Sequence, residues 1–192
     1  LVSVHLYRPF SVKHLLAVVP KTVERICVLD RTKDTGSNGE PLYLDIVEAY
    51  NDLFNHHSAN LPHIIGGRYG LSSKDTTPAH ILAVFKNLER PEPRNRFTIG
   101  INDDVTHLSL PLKPYEEDTE GLVRCKFWGL GGDGTVGANH NTVRIINDNT
   151  DKFAQAYFEY DAKKSFGVTK SHLRFSDKPI TSSYYVKQAD FV

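Results

Sequence analysis

Apolar positions in this chain come in short runs whose spacing switches repeatedly between two and three-to-four residues. Val2 to Tyr7 alternates apolar and polar residues up to Arg8-Pro9, which predicts a strand running into a turn. Ser11 offers an N-cap for a helix with Val12, Leu15, Leu16 and Val19 on one face, closed by Pro20. Arg25 to Leu29 is a short apolar strand, and Asp30 to Gly39 a polar, glycine-bearing loop. Pro41 opens a second helix that places Leu42, Ile46, Ala49, Tyr50 and Leu53 along one side. His63 to Tyr69 is the next strand, Pro78 starts a third helix facing inward through Ile81, Leu82, Phe85 and Leu88, and Arg96 to Ile101 is a fourth strand. Strands alternating with helices over about a hundred residues predict a parallel sheet with right-handed crossovers.

Ligands gather at the carboxyl ends of parallel strands, so Asp30-Arg31, Gly66-Gly67-Arg68 and Asn102-Asp103-Asp104 are loops of interest. A structural ion network with a backbone bend at Gly66-Gly67 is the competing reading. His56 and His57 sit in what reads as a loop tip, Asn55 to Leu61.

Leu110 to Glu120 combines two prolines with four acids and no apolar period, the mark of a linker. Beyond Gly121 the pattern resumes with a strand at Arg124 to Leu130, a helix from Val136 to Ile146, and strands at Phe153 to Tyr160, Val168 to Phe175 and Tyr184 to Val192. The last of these reads as ending inside a strand, which suggests an incomplete second sheet. Leu1 opens the chain and methionine is absent, as expected of a piece or a processed form.

The join between the strand ending at Leu130 and the following helix is glycine-rich: Gly129, Gly131, Gly132, Gly134 and Gly137 fall within nine residues. Each glycine costs backbone entropy, so close approach to a ligand is the expected gain. Bare N–H groups at a helix start favour an anion, phosphate first. Gly129 to Gly134 satisfies GxGxxG, but no acidic residue sits well about 20 positions on, as a dinucleotide fold would require. Gly132 to Gly137 has P-loop spacing, yet Ala138-Asn139 replaces Lys-Ser/Thr, which argues against ATP hydrolysis. Gly132-Asp133-Gly134 matches the start of a thiamine diphosphate and magnesium motif, without the asparagines that complete it. A tight turn without a ligand is the plain alternative.

Composition narrows the partners. The chain has 192 residues, 23 Lys plus Arg against 23 Asp plus Glu, and no basic block, which argues against nucleic acid or an anionic membrane surface. Neither a membrane span nor a signal-peptide h-region is apparent. Cys27 and Cys125 each stand alone in an apolar run, as buried core residues do. Lys163-Lys164 could supply counter-charges, or lie in a surface hairpin; His172 reads as a sheet histidine, because no nucleophile accompanies it.

The segments IIGGRYGLSSKDTTPA, FTIGINDDVTHLSL, GGDGTVGANHN, INDNTD, YDAKKS and SHLRF, with the long run from His5 to Ile46, resemble pyruvate:ferredoxin (flavodoxin) oxidoreductase from Val4 to Val192. The resemblance implies an internal part of a longer enzyme, inactive alone. Its fold would be α/β: a parallel-sheet domain like the C-terminal domain of transketolase over residues 1–110, a linker at 111–120, and an incomplete second α/β domain, gamma-like, over 121–192. For the parent it implies oxidative decarboxylation of pyruvate with thiamine diphosphate and Mg2+, electron transfer through 4Fe–4S clusters to ferredoxin or flavodoxin, and acyl capture by coenzyme A. Two cysteines cannot hold a four-cysteine cluster, so those cofactors are expected outside this chain.

The gamma-like domain is the part associated with coenzyme A, which agrees with the phosphate reading of the glycine join. The expected contacts are Gly131, Gly132, Gly134, Thr135 and Asn139, with Lys163 or Lys164 as counter-charge. This sequence departs from the family at His140, where lysine is usual, and at Phe166, where glycine is usual. Expected partners are the rest of the parent chain, ferredoxin or flavodoxin, and a second copy in a homodimer; the expected compartment is cytoplasmic, or the hydrogenosome of an anaerobic protist. The alternatives are a non-catalytic scaffold or interface module, and the same segment fused in a pyruvate:NADP oxidoreductase or a sulfite reductase flavoprotein.

Overall fold

The structure is a computed structural model that describes residues 1–57, 61–101, 105–115, 120–163 and 166–192. The chain forms two compact units, Leu1–Tyr115 and Glu116–Val192.

The first unit contains α1 (Val12–Val18), β1 (Arg25–Asp30), α2 (Pro41–His57), β2 (His63–Arg68), a 3-10 turn (Leu71–Ser73), α3 (Pro78–Leu88) and β3 (Phe97–Thr98). The sheet is parallel, in the order β1-β2-β3, with Arg25 opposite His63 and Gly67 opposite Phe97. Alternation along β1 explains the layering. Val28 and Ile26 pack with Leu15 of α1 and Ile46 and Tyr50 of α2, whereas Cys27 and Leu29 pack with Ala83 and Val84 of α3. Gly66 and Gly67 serve this arrangement rather than a bend. A Cβ on Gly66 would come 3.0 Å from the Tyr43 ring, and one on Gly67 would come 2.3 Å from the Phe97 ring, so each glycine makes room for an aromatic.

Four expectations for this unit are corrected. Val2 to Tyr7 is not a strand: Leu1, Val2 and Leu6 are exposed, and the segment is tethered instead by Arg8, whose guanidinium lies 2.6 Å from Asp45 of α2. Alternation without a neighbouring edge gains no burial. The inner face of α3 is His80, Ala83, Val84 and Asn87, while Leu82 and Phe85 face outward. Two polar residues occupy that face because each has a partner: His80 Nδ1 accepts the Thr77 N–H at 3.0 Å, and the Asn87 amide exchanges two hydrogen bonds with the Arg94 backbone. The fourth strand shrinks to Phe97–Thr98, where the Thr98 N–H donates to Leu108 O and the Leu110 N–H to Thr98 O. The histidine pair expected at a loop tip belongs to the last turn of α2, and residues 58–60 that follow lie outside the described residues.

The second unit contains β4 (Leu122–Leu130), α4 (Thr135–Asn149), β5 (Phe153–Tyr160) and β6 (Val168–Ser176). Its sheet is antiparallel with the order β4-β6-β5, so β6 separates two strands that run parallel to each other and are joined by α4. This mixed α/β arrangement differs from the parallel sheet of the first unit. Tyr184 to Val192 is not a full strand: Phe191 bridges to Cys125, with the Asp190 and Phe191 N–H groups donating to Arg124 O and the Lys126 N–H to Phe191 O. Buried Arg174 donates to Tyr184 O at 2.8 Å and Ser182 O at 3.2 Å, and the Val186 N–H donates to His172 Nδ1 at 3.1 Å. Those polar anchors compete with strand pairing and hold the segment as a strap.

Candidate functional site

Residues 131–134 carry the chain from the end of β4 to the start of α4, and the path is set by glycine and one carboxylate. Gly132 and Gly134 have φ of 95° and 88°, a region that disfavours any side chain. Gly134 is the N-cap residue and brings no side-chain acceptor. Asp133 fills that role: its Oδ1 accepts the Thr135 N–H at 2.9 Å and its Oδ2 the Leu130 N–H at 2.7 Å. The Thr135 and Leu130 N–H groups and the Thr135 hydroxyl hold the Asp133 carboxyl below its usual range. Gly129 makes the fold-back possible, since a Cβ there would lie 2.4 Å from Thr135 Oγ1.

The same segment is tied to the loop after β5. The Gly131 N–H donates to Gly167 O at 2.8 Å, and the Asp133 N–H to Leu130 O at 3.0 Å. Among the described residues, the N–H groups of Gly132 and Gly134 have no acceptor. They are the ones left for an anion. Of the five residues expected to cradle phosphate, Gly131 and Thr135 have therefore committed their N–H groups elsewhere. Lys163 is exposed in the loop that Gly167 tethers to the turn; Lys164 lies outside the described residues.

Asn139 stands apart from the other expected contacts. It has no exposed surface, and among the described residues neither amide atom has a hydrogen-bond partner. Thr169 and Ser171 of β6 are also buried with unpartnered hydroxyls. His140 stacks on Phe158 with ring centroids 4.4 Å apart, and Phe158 stacks in turn on Tyr160 at 6.4 Å. Phe166 is exposed and holds φ at 58°. No signal in the sequence marked the Asp133 cap, because its role depends on the strand and helix meeting at that distance.

Asp30, the two cysteines and His172 each have structural surroundings. Asp30 caps α2 by accepting the Leu42 and Tyr43 N–H groups at 3.0 and 3.1 Å. Asn102 to Asp104 lie outside the described residues. Burial pushes the Cys27 thiol up to about 12 and raises that of Cys125, so both stay protonated at neutral pH. His172 is lodged between Tyr185, which stacks on it at 4.6 Å, and Glu159, whose Oε2 is 3.5 Å from Nε2. Burial lowers its pKa, with the Glu159 carboxylate acting in the opposite direction. Among the described residues no group of three or more His, Cys, Asp or Glu could hold a metal ion, and no helix is long and apolar enough to cross a membrane.

Both units are of the mixed α/β class, and residues 124–192 match the family described as pyruvate ferredoxin/flavodoxin oxidoreductase. The chain as a whole is similar to one stretch of pyruvate-flavodoxin and pyruvate:ferredoxin oxidoreductases. It is 56% identical over 192 residues to the pyruvate-flavodoxin oxidoreductase of Enterobacter agglomerans, covering 99% of this chain and 16% of that protein. It is 53% identical over 193 residues to the pyruvate:ferredoxin oxidoreductase of Moorella thermoacetica, covering 100% of this chain and 16% of that protein. The mitochondrial pyruvate dehydrogenase (NADP+) of Euglena gracilis is also 53% identical over 193 residues, of which the chain spans 10%. The chain therefore spans about a sixth of the length of most of the curated relatives it matches.

Proposed function

We propose that this chain is a segment of an enzyme that oxidatively decarboxylates pyruvate to acetyl-CoA and passes electrons to ferredoxin or flavodoxin. The observation that carries the reading is similarity at 50–56% identity along the whole chain to proteins so named. In this reading the first unit is the transketolase C-terminal-like domain and supplies scaffold to its neighbours and to a homodimer. The second is the start of the gamma-like domain. A second reading, an NADP-reducing pyruvate enzyme, has the Euglena relative in its favour.

The residues present do not fit thiamine diphosphate with Mg2+ or an iron–sulfur cluster. Cys27, half-buried, and Cys125, buried, are lone thiols in separate units, and the thiamine-motif match at Gly132-Asp133-Gly134 spends its carboxylate on the Leu130 and Thr135 N–H groups. No step through those groups is assigned to this chain.

Coenzyme A is a different matter. The free N–H groups of Gly132 and Gly134, the start of α4 and the nearby Lys163 suit one phosphate of its pyrophosphate or ribose phosphate. Gly131 and Thr135 contribute by fixing the turn, and Asn139 by anchoring the first turns of α4 through its buried side chain. The Asp133 carboxylate limits the site, since a second phosphate oxygen beside it would be repelled. Calorimetric titration of the chain with coenzyme A checks this. Saturable binding is expected, weakening with salt and falling at least tenfold in a Lys163→Glu variant with unchanged circular dichroism. Absence of saturable heat with a folded chain would remove coenzyme A from the second unit.

A further inference from the structure

Away from the glycine turn, the first unit has a cleft of about 460 Å³ that nothing above accounts for. Lys33, Asp34, Ser37, Glu40, Arg68 and Arg96 are among its lining residues. Its place in the fold follows from the sheet. Loop 31–39 leaves the carboxyl end of β1, and Arg68 is the last residue of β2, so the cleft lies where parallel α/β sheets receive ligands. Its volume falls within the range of small-molecule sites, roughly 300–1,000 Å³.

Charge defines what it would take. Among the described lining residues, three cations, Lys33, Arg68 and Arg96, accompany two carboxylates, Asp34 and Glu40, an excess of one positive charge. The central pair is loosely made. Arg68 and Glu40 side chains are 12% and 8% exposed, yet Arg68 Nε and Glu40 Oε1 stand 3.7 Å apart, too far for a hydrogen bond. Arg68 Nε is buried with no acceptor among the described residues, while one terminal nitrogen donates to Arg96 O at 3.1 Å. A buried guanidinium whose fork is only partly used has capacity for an incoming acceptor.

Arg96 is held at the rim by Asn95, whose Oδ1 accepts both the Gly66 and the Arg96 N–H at 2.8 Å. That clamp sets the Arg96 backbone at φ 56° and fixes the third cation against β2.

We propose that this cleft binds a small monocarboxylate, its carboxylate held among Arg68, Arg96 and Lys33, with the Ser37 hydroxyl beside it. One net positive charge matches one negative charge. A phosphate dianion would leave an excess negative charge next to Asp34 and Glu40.

The test is a titration of the 15N-labelled chain at pH 7.5 and constant ionic strength, followed by amide chemical shifts. Three probes are compared: lactate, its uncharged analogue lactamide, and inorganic phosphate. Lactate is expected to give saturating shifts at Gly36, Ser37 and Arg96, with lactamide and phosphate at least tenfold weaker. Lys33→Gln, an exposed position, is expected to weaken lactate binding several-fold, and Arg96→Gly, which keeps a residue suited to that φ, by tenfold or more. Non-saturating shifts with lactate, equal binding of lactamide, or insensitivity to both substitutions in folded variants would overturn the proposal. Phosphate binding tighter than lactate would overturn the monoanion assignment.

Discussion

At the scale of single residues, this chain uses glycine where rings or carboxylates must come close, and it does without glycine at one place that favours it. Gly66, Gly67 and Gly129 each face a side chain that a Cβ would strike. Phe166 is the converse: a phenylalanine, 77% exposed, with a backbone at φ 58°. The left-handed conformation costs an L-residue about 1–2 kcal/mol, and glycine returns part of that through its own larger loss of entropy. Phe166→Gly is therefore expected to stabilise the second unit by about 0.5–1 kcal/mol, read as a raised denaturant midpoint at unchanged slope. Little apolar burial is lost, so an unchanged or lowered midpoint would mean that the ring makes a contact worth more than the strain. The glycine pattern was legible in the sequence, but its reasons were not: Gly66 and Gly67 read as a bend, whereas the neighbours that demand them come from α2 and β3.

At the scale of elements, the strap over residues 177–192 shows how a buried titrating group can hold a segment without regular structure. His172 Nδ1 accepts the Val186 N–H, which requires a neutral ring with its proton on Nε2, toward Glu159. Burial, and secondarily the charge of Lys126, lower the folded pKa, while Glu159 opposes them. The unfolded chain thus takes up the proton first as pH falls. The stability from the neutral ring is present in full above the ordinary histidine value of about 6.5 and is lost as pH drops from there through the folded pKa. One such group gives a slope of at most about 1.4 kcal/mol per pH unit. Denaturation of the chain at pH 7.5 and 5.5, beside His172→Gln, checks this: the variant is expected to lose stability at pH 7.5 and to show a shallower decline between the two values. Equal declines would place the pH dependence elsewhere. The element pattern itself was readable for α1, α2, β1, β5 and β6 from periodicity. It misled at Val2 to Tyr7 and Tyr184 to Val192, because alternation states only that a strand is possible, and a ladder needs a free edge. On α3 it misled differently, since His80 and Asn87 are buried with partners that no period reveals.

At the scale of the whole molecule, the two units differ in what they bury. The first has Ile65, Phe97 and Ile99 almost wholly enclosed in one apolar cluster, with Leu15, Val28, Ile46 and Tyr50 forming a second on the opposite side of its sheet. The second buries Leu173 and Val186 alongside Asn139, Ser171, His172 and Arg174, four polar side chains at 2% exposure or less. Several of those polar atoms lack partners, and each such group costs about 1–3 kcal/mol unless water or a neighbour satisfies it. Produced separately, residues 1–115 are expected to keep a cooperative unfolding transition, and residues 116–192 to unfold at lower denaturant. A second unit as stable as the first would mean that ordered water completes its polar core.

The sequence by itself determined the order and kind of most elements, the glycine join after β4, and the likeness to pyruvate oxidoreductases, because these depend on local propensity, spacing and residue identity. Tertiary structure alone decided the rest. It set the strand order β4-β6-β5, since pairing depends on which edges meet. It committed the Thr135 N–H to Asp133 and buried the Asn139 side chain, since a group's surroundings depend on what packs over it. It gathered Lys33, Arg68 and Arg96 around one cleft from three separate stretches of chain, since charge complementarity is a property of positions in space.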